Sequence, residues 1–315
     1  MTRFDCTFIG DLNPDMILRG DSVPAFGREV FCDDFYLTLG GSASICAGAF
    51  AGLGAKACFF GRAGDDHMGT YAMNALASCG VDISGVTVRK GSYSPVTVSL
   101  TSSQDRALIT YTGTCGSLEE ADVPVYDILA RTRHIHIGSF FLQHHLADMF
   151  IRIFEAARRR RVTTSLDAGW DPTGEWSGAV LDLLRFTDIF FPNESEALAI
   201  TQEKSPDEAC RRLAEYCRVS AVKLGSRGSI LATGSEPILE CPICDLDEKY
   251  EGKAGKDFTG AGDTYNAGFI YAFLQGMSYP DCMRYGSAAA ALRISANRRK
   301  WPFASLDEVR DVVES

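Results

Sequence analysis

Asp257-Phe-Thr-Gly-Ala-Gly-Asp263, followed by Thr-Tyr-Asn-Ala-Gly-Phe-Ile-Tyr-Ala-Phe-Leu274, decides how the chain reads. Gly260, Ala261 and Gly262 carry little or no side chain, so the backbone there can turn tightly and bring successive N–H groups against an anion. Apolar residues after Asp263 recur at helical spacing, which predicts that the turn opens a helix. The N–H groups and dipole at such an end favour phosphate and keep a carboxylate ionised. Asp263 could then accept a proton from a substrate hydroxyl while the amides of residues 260–262 hold charge developing on a transferred phosphoryl group. The plain alternative is a structural helix with a glycine-rich start, and this stretch alone does not choose.

The rest of the chain narrows the choice. Its 315 residues are 46% hydrophobic, enough to bury a large core in one α/β domain. A net charge of −10 disfavours nucleic acid or an anionic membrane as a partner. Eleven cysteines without framework spacing suggest reduced thiols and a cytoplasmic setting, and Cys241-Pro-Ile-Cys244 lacks the second pair a zinc site needs. No signal peptide is visible, and no window has the roughly 18 apolar residues a membrane helix requires.

Residues 4–9 read as a first strand ending at Gly10-Asp-Leu-Asn13-Pro-Asp15, and open α/β sheets bind ligands at such polar strand ends, so Asn13 and Asp15 are candidate sugar contacts. Short β-prone pieces follow at Met16–Leu18, Glu29–Phe31 and Phe35–Leu39, with further strands at 95–100 and 107–111. Gly61-Arg-Ala-Gly-Asp-Asp-His-Met-Gly69 reads as a turn and helix cap through Asp65 or Asp66. From residue 134 strands at 134–138, 163–167 and 189–191 alternate with helices to Arg161, Arg185 and Cys217, which predicts a parallel sheet covered on both faces. His134, His136, His144 and His145 read as structural, and Arg158 to Arg161 as a solvated helix end. No Gly-x-x-x-x-Gly-Lys-Ser/Thr occurs, so this is not a P-loop enzyme.

Asp257 to Gly268 resembles the C-terminal signature of the ribokinase-like (PfkB) carbohydrate kinases, and other family marks recur in order from residue 8 to about 300. The resemblance implies a single domain over 1–315, with a central mostly parallel sheet, helices on both faces and a small β lid from about 12–39 and 90–112. It implies ATP-dependent phosphorylation of a hydroxyl on a small sugar, with ATP and Mg²⁺ as cofactors and a homodimer formed through the lid. Gly40-Gly41-Ser-Ala-Ser44 resembles the first glycine motif, which meets the sugar; the family's usual Asn is Ile45 here, with Ser44 as the nearest substitute. Pro192-Asn193-Glu-Ser-Glu196 resembles the element near Mg²⁺ and the phosphates, Asn193 and Glu196 acting through water, although an Asn followed by an acid is also an ordinary cap. Lys223-Leu-Gly225-Ser-Arg-Gly228 resembles the nucleotide loop, with Lys223 or Arg227 near phosphate. Asp257 and Thr259 resemble oxygen donors to K⁺, and the 281–296 helix an adenine wall followed by an altered 297–301 segment.

Asp171 stands where an Arg is more usual and Ser42 where phosphosugar members more often carry Lys, which points to an unphosphorylated substrate unless Arg28 or Arg106 reaches in. A nucleoside kinase on the same fold is the second reading. A catalytically silent sugar- or nucleotide-binding regulator is the third.

Overall fold

The computed structural model describes residues 3–20, 24–102, 106–176, 178–234, 236–246, 250, 257–296 and 303–315, with the Arg106 side chain left out. The expectations for segment 297–301 and for Arg106 as a cation near the substrate lie outside what is described. Among the described residues, thirteen strands, β1 Phe4–Ile9, β2 Asn13–Arg19, β3 Asp34–Gly40, β4 Ala57–Gly64, β5 Asp82–Arg89, β6 Val96–Thr101, β7 Arg106–Tyr111, β8 Thr132–Ile137, β9 Thr163–Leu166, β10 Ile189–Phe190, β11 Val219–Lys223, β12 Ser229–Ala232 and β13 Leu239–Cys241, make two sheets. Their order is β13-β12-β11-β10-β9-β8-β1-β4-β5 in the larger and β3-β2-β6-β7 in the smaller.

The larger sheet is parallel from β5 through β11, and β12 and β13 add antiparallel at one edge. That matches the βαβ alternation read from residue 134 onward, in which buried strands show continuous apolar runs. The helices are α1 Ser42–Gly52, α2 His67–Ser78, α3 Val125–Arg131, α4 Ala147–Arg159, α5 Ala179–Leu184, α6 Glu194–Thr201, α7 Pro206–Leu213, α8 Ala261–Leu274, α9 Tyr279–Ser295 and α10 Leu306–Glu314. Two apolar cores lie on the sheet's two faces. One is built with α1, α2, α8, α9 and α10, the other with α3 to α7.

Local sequence explains the placements that matter. α4 buries Met149, Phe150, Ile153, Phe154 and Ala157, a one-sided stripe, and ends in its arginines. α8 is buried on nearly every side from Thr264 to Ala272 because it lies against α1 and α9. Gly268 permits that approach: a Cβ there would stand 2.5 Å from the Tyr285 carbonyl oxygen. Asp66 caps α2 by accepting from the Gly69 amide at 2.8 Å and also takes the Ser94 amide, the turn-and-cap reading of residues 61–69.

Two expectations are corrected. Glu29–Phe31 forms no strand; it is an exposed connection between β2 and β3, where apolar Val30 and Phe31 face solvent and no neighbouring strand pairs with them. The helix read between the 134–138 strand and Arg161 begins as a 3₁₀ segment, Phe140–Leu146, broken at Gln143, and turns α-helical only at Ala147. Strand β5 was not apparent in the sequence, since its outer half is exposed and carries no apolar run. All eleven cysteines are free thiols. His134 and His136 are fully buried between strands, each against the Ser165 hydroxyl, and burial lowers both, His136 to about 4. Among the described residues no helix is long and apolar enough to cross a membrane.

Candidate active site

The carboxyl ends of β1, β8, β9, β10 and β11 meet the amino end of α8 and one edge of the smaller sheet. Gly260 caps α8 in the left-handed region, φ 73°, and Ala261, Gly262 and Asp263 form its first turn, where N–H groups have no acceptor within the helix. Ile45, set where the family more often has Asn, packs against this turn: its Cδ1 lies 3.0 Å from where a Cβ on Gly260 would be. Ile45 is thus a buried support for α8.

Asp263 is partly exposed and its Oδ1 accepts from the Ser42 hydroxyl at 2.7 Å. Burial, with the nearby Asp167 charge adding to it, raises the Asp263 carboxyl to about 7 against the pull of Ser42 and Lys223. Ser42 follows the glycine pair and opens α1. Its amide and that of Ala43 donate to Asp11, at 2.8 and 2.9 Å, so a buried carboxylate from the end of β1 supplies the cap that Gly41 cannot.

Asn13 and Asp15, on β2, come together with Gly40 and Gly41. The Asn13 amide donates to Asp15 Oδ1 at 3.0 Å, and Asn13 pairs with Gly40 across the β2–β3 ladder. A Cβ on Gly40 would stand 1.9 Å from Asp15 Oδ1, so only glycine admits that carboxylate; Gly41, φ 86°, has Asn13 Oδ1 at 2.8 Å from the same construction. Ser44 departs from expectation. It is fully buried and donates to the Gly40 and Gly41 carbonyls, bracing the glycine pair from below, so it does not replace the missing Asn as a cleft contact.

Lys223 turns its side chain under α8, its Nζ 3.5 Å from where a Cβ on Gly262 would stand, and its ammonium meets Asp167 Oδ2 at 2.9 Å and Asn266 Oδ1 at 3.2 Å; the Asn266 amide closes the triangle onto Asp167 at 2.8 Å. Burial would raise the Asp167 carboxyl, but the ammonium beside it outweighs this and holds it below the ordinary value. Burial alone would lower Lys223; the surrounding carboxylates, Asp167 and Glu196 first, raise it. One cation thus balances three acids converging from β9, α6 and α8.

Asn193 and Glu196 make a reciprocal cap of α6: Asn193 Oδ1 accepts from the Glu196 amide and Glu196 Oε2 from the Asn193 amide, both at 2.9 Å. Burial, and then Asp167, raise Glu196 to about 7. Gly225, φ 61°, leaves its face open, whereas Gly228 is a packing glycine, since a Cβ there would stand 2.1 Å from the Cys241 carbonyl oxygen. Arg227 pairs with Glu194, and its partner is therefore a helix acid. Asp257 takes the Thr259 amide at 2.9 Å on one oxygen and the Tyr36 hydroxyl of β3 at 2.8 Å on the other. Asp171 is turned into its own loop, accepting from Thr173 and Trp176.

The chain as a whole is similar to known proteins. The model of the pfkB family of carbohydrate kinases matches residues 3–298. The chain belongs to that family. With it comes ATP-dependent phosphotransfer to a sugar or nucleoside. This kinase is 29% identical to a 2-dehydro-3-deoxygluconokinase of Bacillus subtilis, over 90% of each chain. Among solved structures it resembles adenosine kinase from Sinorhizobium meliloti, at 25% identity, a TM-score of 0.81 and coverage of 94% of this chain and 95% of that one. Arabidopsis thaliana ribokinase complexed with ribose and ATP is 22% identical, with a TM-score of 0.81 over the whole of both chains, a likeness of fold.

Proposed function

We propose that this kinase transfers the γ-phosphoryl group of ATP to a hydroxyl of an unphosphorylated sugar or sugar-like ring. The observation that carries this is the Ser42–Asp263 contact: a hydroxyl of the chain donates to Asp263 Oδ1 at 2.7 Å, the approach a substrate hydroxyl would make to a base. In this reading Asp263 takes the proton and the amides at the start of α8 hold the charge on the moving phosphoryl group. Asn13, Asp15, Gly40 and Gly41 position the ring. Asn193 and the Gly225 loop face the nucleotide.

Glu196 and Asn193 suit Mg²⁺ as hard oxygen donors, and Glu196 Oε1 is the oxygen the cap does not use. Mg²⁺ usually keeps several of its waters and is held by one or two carboxylates together with substrate phosphates. Bound there, Mg²⁺ would neutralise phosphate charge. The smaller sheet would act as a lid that keeps water, the competing acceptor, from the cleft. Its exposed Phe35, Leu108, Ile109 and Tyr111 would be covered in a homodimer, and light scattering that returns the mass of one chain at micromolar concentration would dismiss that arrangement.

A phosphosugar's dianion needs fixed cations near the glycine pair. Ser42 and Ser44 there are neutral and Ser44 is spent on backbone. At fixed ATP, free sugars are expected to give higher kcat/KM than their phosphates; the reverse order would reject this substrate class. Nucleosides are the second reading, favoured by Trp170, an exposed indole three residues past Asp167 that meets Trp176 edge-on at 5.5 Å and could stack on a base.

The pH dependence follows from Asp263. As the base it must be ionised, so kcat/KM is expected to rise with pH through about 7 and then level. Ser42 lowers the Asp263 carboxyl, so Ser42→Ala should move this limb to higher pH. A limb that stays put or moves to lower pH would show that the hydroxyl does not tune the base.

A further inference from the structure

Residues 36–42, the end of β3 and the start of α1, are joined to residues 257–263, which lead into the first turn of α8, by two hydrogen bonds. The Tyr36 hydroxyl donates to Asp257 Oδ2 at 2.8 Å and the Ser42 hydroxyl to Asp263 Oδ1 at 2.7 Å. Both bonds span 221 positions, so the two segments lie side by side in one direction, and residues 260–262 fall between the two points of attachment. Tyr36 and Asp257 are 8% and 3% exposed, and a hydrogen bond to a carboxylate that is buried this far is strong and little screened by water. The other Asp257 oxygen accepts the Thr259 amide at 2.9 Å, and the Asp257 amide donates to the Ile294 carbonyl at 3.3 Å. One carboxylate thus ties β3 to the residue just before Gly260, on a backbone fixed to α9. The strand that carries Tyr36 also backs the candidate ring contacts: along the β2–β3 ladder Tyr36 lies opposite Ile17, Thr38 opposite Asp15 and Gly40 opposite Asn13.

We infer that Tyr36 is a positioning residue for phosphoryl transfer, whose hydroxyl acts through Asp257 to set the Gly260–Gly262 amides according to where β3 stands. An acceptor seated on β2 and β3 then aligns the anion-binding turn as it binds, which favours transfer to the acceptor over transfer to water. The inference rests on the proposed phosphotransfer and adds to it the link between the two halves of the site.

The test measures kcat and both KM values for wild type, Tyr36→Phe, Asp257→Asn and the double variant in one potassium buffer. It also measures inhibition, in the presence of acceptor, by ADP alone and by ADP with aluminium fluoride, a stand-in for the moving phosphoryl group. Tyr36→Phe removes only the hydroxyl and should lower kcat about tenfold, with both KM values within about twofold of wild type. ADP with aluminium fluoride should bind this variant about tenfold more weakly, and ADP alone as it binds wild type. A merely structural role would lower Tm without separating those two ligands. Asp257→Asn keeps the shape and weakens the same bond, so the double variant should lose little more in kcat than Asp257→Asn alone. Should Tyr36→Phe not fold, Asp257→Asn decides by the same kcat loss and the same separation of ligands. A folded Tyr36→Phe with wild-type kcat, a loss confined to KM, or losses that multiply in the double variant would overturn the inference and leave the kinase reading standing. Wild type with no turnover on any acceptor would instead refute the kinase reading, and this role with it.

Discussion

Asp263→Asn is expected to lower kcat on the best acceptor by about 10²–10⁴ while leaving the fold and ATP affinity near wild type. The amide keeps the shape at the start of α8 and can still meet the Ser42 hydroxyl, but it cannot take a proton. Stability supplies an independent readout. Asp263 sits at about 7 when folded against an ordinary value of 3.8, so the folded state binds its proton more tightly than the unfolded chain does. A carboxyl raised in this way favours the folded state least at high pH: its penalty grows as pH rises from about 4 to about 7 and is complete above that. Asn carries no such penalty. Tm of the variant relative to wild type should therefore increase between pH 5 and pH 8. Wild-type kcat in the variant would remove Asp263 from the chemistry, and a Tm difference independent of pH would show that its carboxyl is not raised.

Lys223→Met is expected to have the largest effect on stability. Lys223 and Asp167 are 15% and 6% exposed and meet at 2.9 Å, and removing one partner of a buried pair costs about 3–5 kcal/mol because the other charge is left uncompensated. Here Glu196 and Asp263 share the same cation, so the loss falls on three acids. Adding Asp167→Asn should restore at least half of the loss, since the amide still bonds Asn266 and no longer needs a cation. Urea unfolding of the two single variants and the double variant gives the coupling directly. A loss below about 1 kcal/mol for Lys223→Met would place the pair among weak surface contacts.

What could be read from the sequence was local. Gly260 to Asp263 form one turn, and Asn13, Asp15, Gly40 and Gly41 sit on a strand end and a glycine pair, features that spacing and residue type announce. The parallel sheet was legible because its strands are buried on both faces. What escaped was carried by contacts between distant residues. Ser42 and Asp263 are 221 positions apart, Asp167 and Asn266 are 99 apart, and Tyr36 reaches Asp257 across another 221. Lys223 was placed in a loop because the residues beside it suggest one; only the packing of α8 over β11 shows that its ammonium turns inward. Asp11 was passed over because a carboxylate at a strand end looks like any turn acid until α1 is seen to start above it. Ser44 and Asp171 were assigned outward roles from family positions, and their own backbone neighbours claim them.

The central claim, phosphoryl transfer from ATP to a sugar hydroxyl at Asp263, is tested most directly by phosphorus NMR of reactions holding ATP, Mg²⁺ and a panel of free sugars, sugar acids and nucleosides. The expected result is a new phosphate monoester signal with an equal amount of ADP for at least one free sugar, absent when Asp263→Asn replaces wild type. A folded wild-type enzyme that forms no monoester from any acceptor, or an Asp263→Asn enzyme that forms it equally fast, would contradict the claim.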